Sequence, residues 1–129
     1  MSRIRSYRDL VAWQRAVDLA VEVYSLTRTF PKSELYGVTG QVRRSAVSVA
    51  ANIAEGYGRS GPGEYLHFLS NARGSLRETE TVLIIANLVG FSTEATHAAL
   101  LQTADDVGGL LYGLTRSVSR SKSRGFPAE

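Results

Sequence analysis

Residues 36–61 read YGVTGQVRRSAVSVAANIAEGYGRSG, and this stretch decides the fold. Val38, Val42, Ala46 (or Ser45), Val49 and Ile53 recur at three- and four-residue steps, the period of one helix face. The run SAVSVAANIA is rich in small side chains, which let neighbouring helices approach closely. Gly56, Gly58, Gly61 and Gly63 with Pro62 then break the pattern. Ser33 is placed to cap this segment and Glu34 to meet its dipole, so the spacing predicts a helix over about 34–56.

Working outward, the same period governs the rest of the chain. Leu10, Trp13, Val17, Ala20 or Val21, and Tyr24 form a stripe that predicts a helix over about 7–29, closed by Phe30-Pro31. Leu66, Leu69, Ala72 or Arg73, Leu76, Thr79 or Glu80, Leu83 and Ala86 or Asn87 predict a third over about 63–89, with Gly90 at the position after its end. Ser92 or Thr93 starts a fourth over about 93–118. It carries two apolar faces, one through Leu101, Gly108, Leu111 and Val118 and one through Leu100, Val107, Leu110 and Leu114. Two faces exceed what a lone bundle buries and predict contact with a second subunit. Residues 119–129, SRSKSRGFPAE, lack periodicity and are expected to form a mobile basic tail. No alternation of period two is long enough for a sheet. Helices of about 20–27 residues span roughly 30–40 Å, and their connections are short. The expectation is all-α: one domain over 1–129, an antiparallel up-down-up-down four-helix bundle.

Composition bounds the function. The 129 residues are 43% hydrophobic and 21% charged, a globular mixture that excludes a disordered chain. With no cysteine, disulfide scaffolds, zinc ribbons, iron–sulfur clusters and thiol nucleophiles are excluded, and a reducing compartment fits. No secretory leader and no membrane span is visible, so a cytoplasmic protein is expected. The net charge of +3 is unevenly placed. Arg3, Arg5 and Arg8 lie at one terminus, and Arg116, Arg120, Lys122 and Arg124 at the other. Between them, residues 9–115 hold 8 basic and 11 acidic residues. Basic arms of this kind hold nucleic acid or simply solubilise the chain ends.

Several motifs look chemical. Gly56-Tyr57-Gly58-Arg59-Ser60-Gly61 matches the dinucleotide fingerprint, but a helix rather than a strand precedes it. Glu64/His67 and Glu94/His97 match the E-x-x-H of di-iron bundles. Each begins its own helix, and the starts of antiparallel neighbours lie on the order of 30 Å apart. Glu78 with Glu80, and Asp105 with Asp106, are too close in sequence to share a helix face. They are expected to pair with arginines such as Arg73, Arg77, Arg43 or Arg44. Neither a catalytic constellation, a cofactor nor a metal is expected. Gly109 and Gly113 form a G-x-x-x-G that predicts close helix packing, so a larger side chain at Gly109 should disturb the fold more than one at the turn residue Gly61. Gln41, Ser45, Ser48, Asn52 and Glu55 form a polar stripe along one helix side. Such a stripe is either solvated surface or a polar seam between helices or subunits.

The run from Tyr36 to Arg59, preceded by FPKSE and followed by GSLRETE, resembles the proteins encoded in intervening sequences of large-subunit ribosomal RNA genes. The likeness covers roughly residues 7–118. It rests on Phe30-Pro31, Glu34, Tyr36, Gly37, Gln41, Arg43, Arg44, the block Asn52-Ile53-Ala54-Glu55-Gly56, Arg59, Gly74-Ser75 and Glu78, with Trp13 in the first helix. The chain is also similar to the accessory proteins of diversity-generating retroelements, basic pentameric bundles that bind nucleic acid and a reverse transcriptase. The resemblance implies a four-helix bundle assembled as a ring, most often a homopentamer, with no catalytic residues to carry over. Tyr36, Gly37, Gln41, Asn52, Glu55, Gly56, Gly74 and Glu78 would then serve structure or interfaces. The acidic body departs from the retroelement proteins and shifts any RNA contact to the terminal basic residues together with Arg43, Arg44 and Arg59. Two functions result: a non-enzymatic oligomer associated with RNA or ribonucleoprotein, or a structural bundle whose partner is a protein and which has no nucleic-acid role.

Overall fold

The computed structural model describes residues 3–124, the Arg124 side chain excepted. Four helices make it up: α1 (Val11–Thr27), α2 (Gly40–Tyr57), α3 (Pro62–Leu88) and α4 (Glu94–Arg124). No strand occurs among the described residues. Each helix packs on the next, and α4 packs back on α1. The core between them is built from Leu19, Val23, Val42, Val49, Ile53, Leu69, Leu76, Leu83, Val107, Leu111 and Val118.

The first expected helix is divided. Tyr7–Asp9 forms a single 3₁₀ turn, closed by a reciprocal cap between Ser6 and Asp9. Leu10 is extended, and only then does α1 begin. Its buried face is also rotated from the expected stripe: Ala12, Ala16, Leu19, Val23 and Thr27 point inward. Alanines at two of these positions allow a close approach that Trp13 and Tyr24 would block. Trp13, Val17 and Ala20 are half-buried, while Val21 and Tyr24 are exposed.

The second helix is also preceded by irregular turns. A 3₁₀ turn (Lys32–Glu34) and a π turn (Leu35–Thr39) come before α2, and Gly37 leaves helical geometry within them. The capping side chain is Glu34, whose carboxylate accepts from the Val38 N–H at 3.2 Å, rather than Ser33. The expected α2 core face is otherwise buried as read, with Val38 half-buried.

α3 lies within a residue of its expected bounds. Gly90 follows its end at φ +91°, and the Phe91 N–H donates to the Ala86 carbonyl at 2.9 Å, a left-handed helix stop that suits glycine. α4 is longer than expected. Residues 119–124, assigned to a mobile tail, are helical, because Val118 and Ser121 are still buried three residues apart on one face. Residues 125–129 of that tail lie outside the described residues.

Two expectations about α4 find no support within the single chain. Its two apolar faces merge: Leu100, Val107, Leu111 and Val118 are buried, and Leu101, Leu110 and Leu114 pack on the same core. Gly109 and Gly113 have open space where a Cβ would stand, while Gly108 faces Leu76 at 3.6 Å. Close contacts require glycine at Gly40, where a Cβ would lie 2.7 Å from the Leu35 carbonyl oxygen, and at Gly56. A Cβ at Gly56 would lie 2.9 Å from Phe68 Cβ and 3.2 Å from the Tyr65 carbonyl oxygen.

Candidate nucleic-acid interface

The polar stripe of α2 is a seam against α3. Thr79 donates to Ser45 Oγ at 2.8 Å in a buried pair. The Ser48 and Ser75 hydroxyls meet at 2.8 Å, and Asn52 donates to the Ser48 carbonyl at 2.9 Å. At the rim Gln41 makes a long 3.4 Å contact with Glu78. Every buried hydroxyl in the seam has a partner, so the stripe holds two helices in register and presents no open chemistry. Of the motif residues, Gln41, Asn52, Glu55, Gly56 and Glu78 have local bonding or packing roles. Gly74 is exposed in mid-α3 with nothing near it, and Tyr36 is 93% exposed on the turn before α2.

The seam leaves the basic residues as the candidate site. Tyr7 lines a shallow recess with Ala51, Ala54, Glu55, Gly58 and Arg59, which places the chain start beside the end of α2. α3 begins after a short turn, and Lys122 Nζ lies 4.0 Å from where a Gly63 Cβ would be, which brings the end of α4 to the same place. Residues 3–9, 55–64 and 116–124 thus share one end of the bundle. They carry eight basic residues (Arg3, Arg5, Arg8, Arg59, Arg116, Arg120, Lys122 and Arg124) against three acidic ones, Asp9, Glu55 and Glu64. Asp9 is occupied by the Arg5 and Ser6 backbone N–H groups, and Glu55 by Arg59 at 2.7 Å.

Aromatic rings hold several of these cations. The Arg8 guanidinium lies 5.5 Å from the Tyr7 ring, Arg59 lies 4.8 Å from Phe68, and Arg116 lies 5.8 Å from Tyr112. Guanidinium–ring stacking orients a cation while leaving its N–H edge for an anion. Arg116, Ser119, Arg120 and Ser123 line an open groove of about 300 Å³ on α4. Arg3, Arg5, Arg120 and Lys122 are exposed. The Arg124 side chain lies outside the described residues.

Arg43 and Arg44 do not join this cluster. Arg43 Nε donates to Thr27 Oγ1 at 2.8 Å, and its guanidinium covers the Tyr24 ring at 4.5 Å, so it ties α2 to α1. Arg44 is exposed beside Leu35 and Gly40. The expected carboxylate–arginine pairing holds in one case, Arg77 with Glu80 at 2.8 Å. Asp106 is met by Arg15 of α1 at 3.1 Å, a partner that local sequence does not indicate. The hydrogen bond from Arg15, then that from Gln102, holds the Asp106 carboxyl below the usual range.

Glu64 and His67 begin α3, and Glu94 and His97 begin α4. Glu94 accepts from Asn87, and His67 sits edge-on to Phe68 at 5.5 Å. Among the described residues no three His, Cys, Asp or Glu side chains converge as metal ligands, and no helix is long and apolar enough to cross a membrane. Among the described residues two buried hydroxyls, Thr39 Oγ1 and Tyr65 Oη, have no partner, and sequence reading identified neither. Burial, with Tyr57 adjacent, pushes the Tyr65 phenol up to about 12.

The fold has a solved counterpart. A crystal structure of a protein of unknown function from the S23 ribosomal protein family, from Bacteroides thetaiotaomicron VPI-5482, superposes with a TM-score of 0.76 at 20% identity, covering 81% of this chain and 98% of that one. No curated protein matches the chain. The family model of the 23S rRNA-intervening sequence protein matches residues 8–113, most of the chain, and the chain belongs to that family.

Proposed function

We propose that this protein is a non-enzymatic bundle that associates with RNA or ribonucleoprotein in the cytoplasm, through the end that gathers its basic residues. The observation that carries the reading is the eight-to-three excess of cations on residues 3–9, 55–64 and 116–124, in a chain whose net charge is only +3. Clustered Lys and Arg side chains displace condensed counterions from phosphates, a sequence-tolerant mode of binding. It needs neither catalytic residue, cofactor nor metal.

In this reading the helices follow an up-down-up-down course. Ser45 with Thr79 and Ser48 with Ser75 support it between α2 and α3, as do Arg15 with Asp106 and Glu22 with Thr103 between α1 and α4. Copies assemble into a homo-oligomeric ring, a pentamer by family likeness, which repeats the basic end in every subunit and raises avidity. With the α4 faces absorbed by the core, support for assembly shifts to α1 and α2. There Val17, Ala20, Val21, Tyr24, Val47 and Ala50 border an apolar recess of about 420 Å³. That surface equally favours the second reading, a bundle whose partner is a protein.

Salt separates the two. Deleting residues 117–129 would strip Val118 and Ser121 from the core, so neutralisation is the cleaner perturbation. Arg3, Arg5, Arg116, Arg120 and Lys122 are replaced together by Gln, and a mixed single-stranded RNA is titrated between about 50 and 200 mM salt. Each lost phosphate contact flattens the log–log slope by roughly 0.7, so the variant should bind far more weakly with a shallower slope. Unchanged affinity and slope would refute the basic-end interface. Absence of binding by the parent protein at low salt would leave the protein-partner reading. Light scattering at micromolar concentration should give a mass several times 14.0 kDa.

A further inference from the structure

The elbow between α1 and α2, at the other end of the bundle from the basic cluster, holds a recess of about 320 Å³. Arg28, Lys32 and Arg43 line it, with Phe30 and Leu35 as apolar wall and Thr39 at its buried side. No acidic side chain lines it. The nearest carboxylate along the chain, Glu34, is committed to the Val38 N–H. Thr39 is 3% exposed and closes the inner side of the recess. Arg43 is held in place by its Nε bond to Thr27 and its stack on Tyr24. Its terminal N–H groups meet no acceptor among the described residues.

We propose that this recess binds a phosphate monoester whose organic part lies against Phe30 and Leu35. Three cations without a neutralising carboxylate suit a dianion better than a carboxylate. A guanidinium immobilised by stacking offers planar donors at little ordering cost. The apolar wall selects an ester over inorganic phosphate. The site is independent of the basic end, so either assignment can fail without the other.

Calorimetric titration at fixed ionic strength tests it with phenyl phosphate, inorganic phosphate, benzoate and a 5′-phosphorylated RNA trinucleotide as probes. Phenyl phosphate should bind more tightly than benzoate or inorganic phosphate. Lys32→Gln and Arg28→Gln should each weaken it by about ten-fold, a single charge-assisted hydrogen bond's worth. Arg73→Gln, on exposed α3 surface, should leave it unchanged. If the trinucleotide matches phenyl phosphate with the same variant pattern, the phosphate is one borne on RNA; if phenyl phosphate alone binds, it belongs to a small molecule. Equal binding of benzoate, insensitivity to Lys32→Gln and Arg28→Gln, or equal weakening by Arg73→Gln would overturn the proposal.

Discussion

Replacing Gly56 by Ala tests the packing that fixes α2 against α3. A Cβ at this position would stand 2.9 Å from Phe68 Cβ, 3.0 Å from Tyr65 Cδ1 and 3.2 Å from the Tyr65 carbonyl oxygen. Carbon atoms in van der Waals contact prefer about 3.5–4.0 Å, so the helices must separate by several tenths of an ångström. The obstacle is a Cβ and a backbone carbonyl, which cannot rotate away. Overpacking of this kind costs about 1–3 kcal/mol. Against it stands the gain of up to about 1 kcal/mol from removing glycine from a helix, reduced here because Gly56 is one residue from the end of α2. Gly74 supplies the reference: it sits in mid-α3 with nothing within 4 Å of a Cβ, so Gly74→Ala receives the propensity gain alone. The two variants should therefore differ by about 1–3 kcal/mol, with Gly56→Ala the less stable. For a chain of this size each kcal/mol shifts the melting temperature by roughly 3–5 °C. Far-UV circular dichroism through thermal and urea unfolding reads the difference, with an unchanged m-value showing that the denatured state is the same. If Gly56→Ala melts at or above Gly74→Ala, the close-contact account of Gly56 is wrong.

Other outcomes are as direct. Thr79→Val should leave Ser45 without its buried donor and cost about 1 kcal/mol, and adding Ser45→Ala should recover part of it; additive losses in a double-mutant cycle would break the seam argument. The Tyr65 phenol is raised from 10.0 to about 12 by burial, so the unfolded chain releases its proton first as pH rises. Stability should fall by about 2 kcal/mol between pH 10 and 12. Tyr65→Phe should lack that portion of the fall in urea unfolding at pH 9 and 11 while matching the parent at pH 7. Gly109→Ala, with open space where its Cβ would stand, should raise stability by up to about 1 kcal/mol, and a loss of mass by light scattering would instead place Gly109 at a subunit contact.

Much of this fold is legible in the sequence because side-chain period survives translation into burial. Val42, Val49 and Ile53 of α2, and Leu69, Leu76 and Leu83 of α3, occupy the core positions their spacing assigns. α1 misleads because it has two eligible stripes. The one through Trp13, Val17 and Tyr24 is the more hydrophobic by side-chain size, yet the core takes Ala12, Ala16, Leu19 and Val23. Close helix approach rewards small residues, and hydrophobicity alone does not register that. α4 misleads in the opposite sense. Ser121 is polar and lies in a stretch of serines and basic residues, so nothing in composition marks it as inward-facing. The partner of Asp106 and the unpaired hydroxyl of Thr39 depend on which helices become neighbours, and local spacing does not contain that.

The charge pattern gains meaning only through this topology. Read linearly, the basic residues belong to two separate ends of the chain, and Arg59 stands apart in a glycine-rich turn. The fold returns the end of α4 to the start of α3 and lays the chain start against the end of α2, so Arg59 becomes the middle member of one cluster. Because 119–124 continue α4 as helix, Arg116, Arg120 and Lys122 are presented from a rigid element rather than from a flexible arm. Rigidity lowers the ordering cost of each phosphate contact and sets a fixed spacing between cations. Arg116 and Arg120 lie one turn apart, so they face the same side. The proposed interface is therefore a charged surface whose geometry a phosphate backbone has to match. Its affinity should depend more on which face of α4 carries the arginines than on how many the C-terminal segment contains.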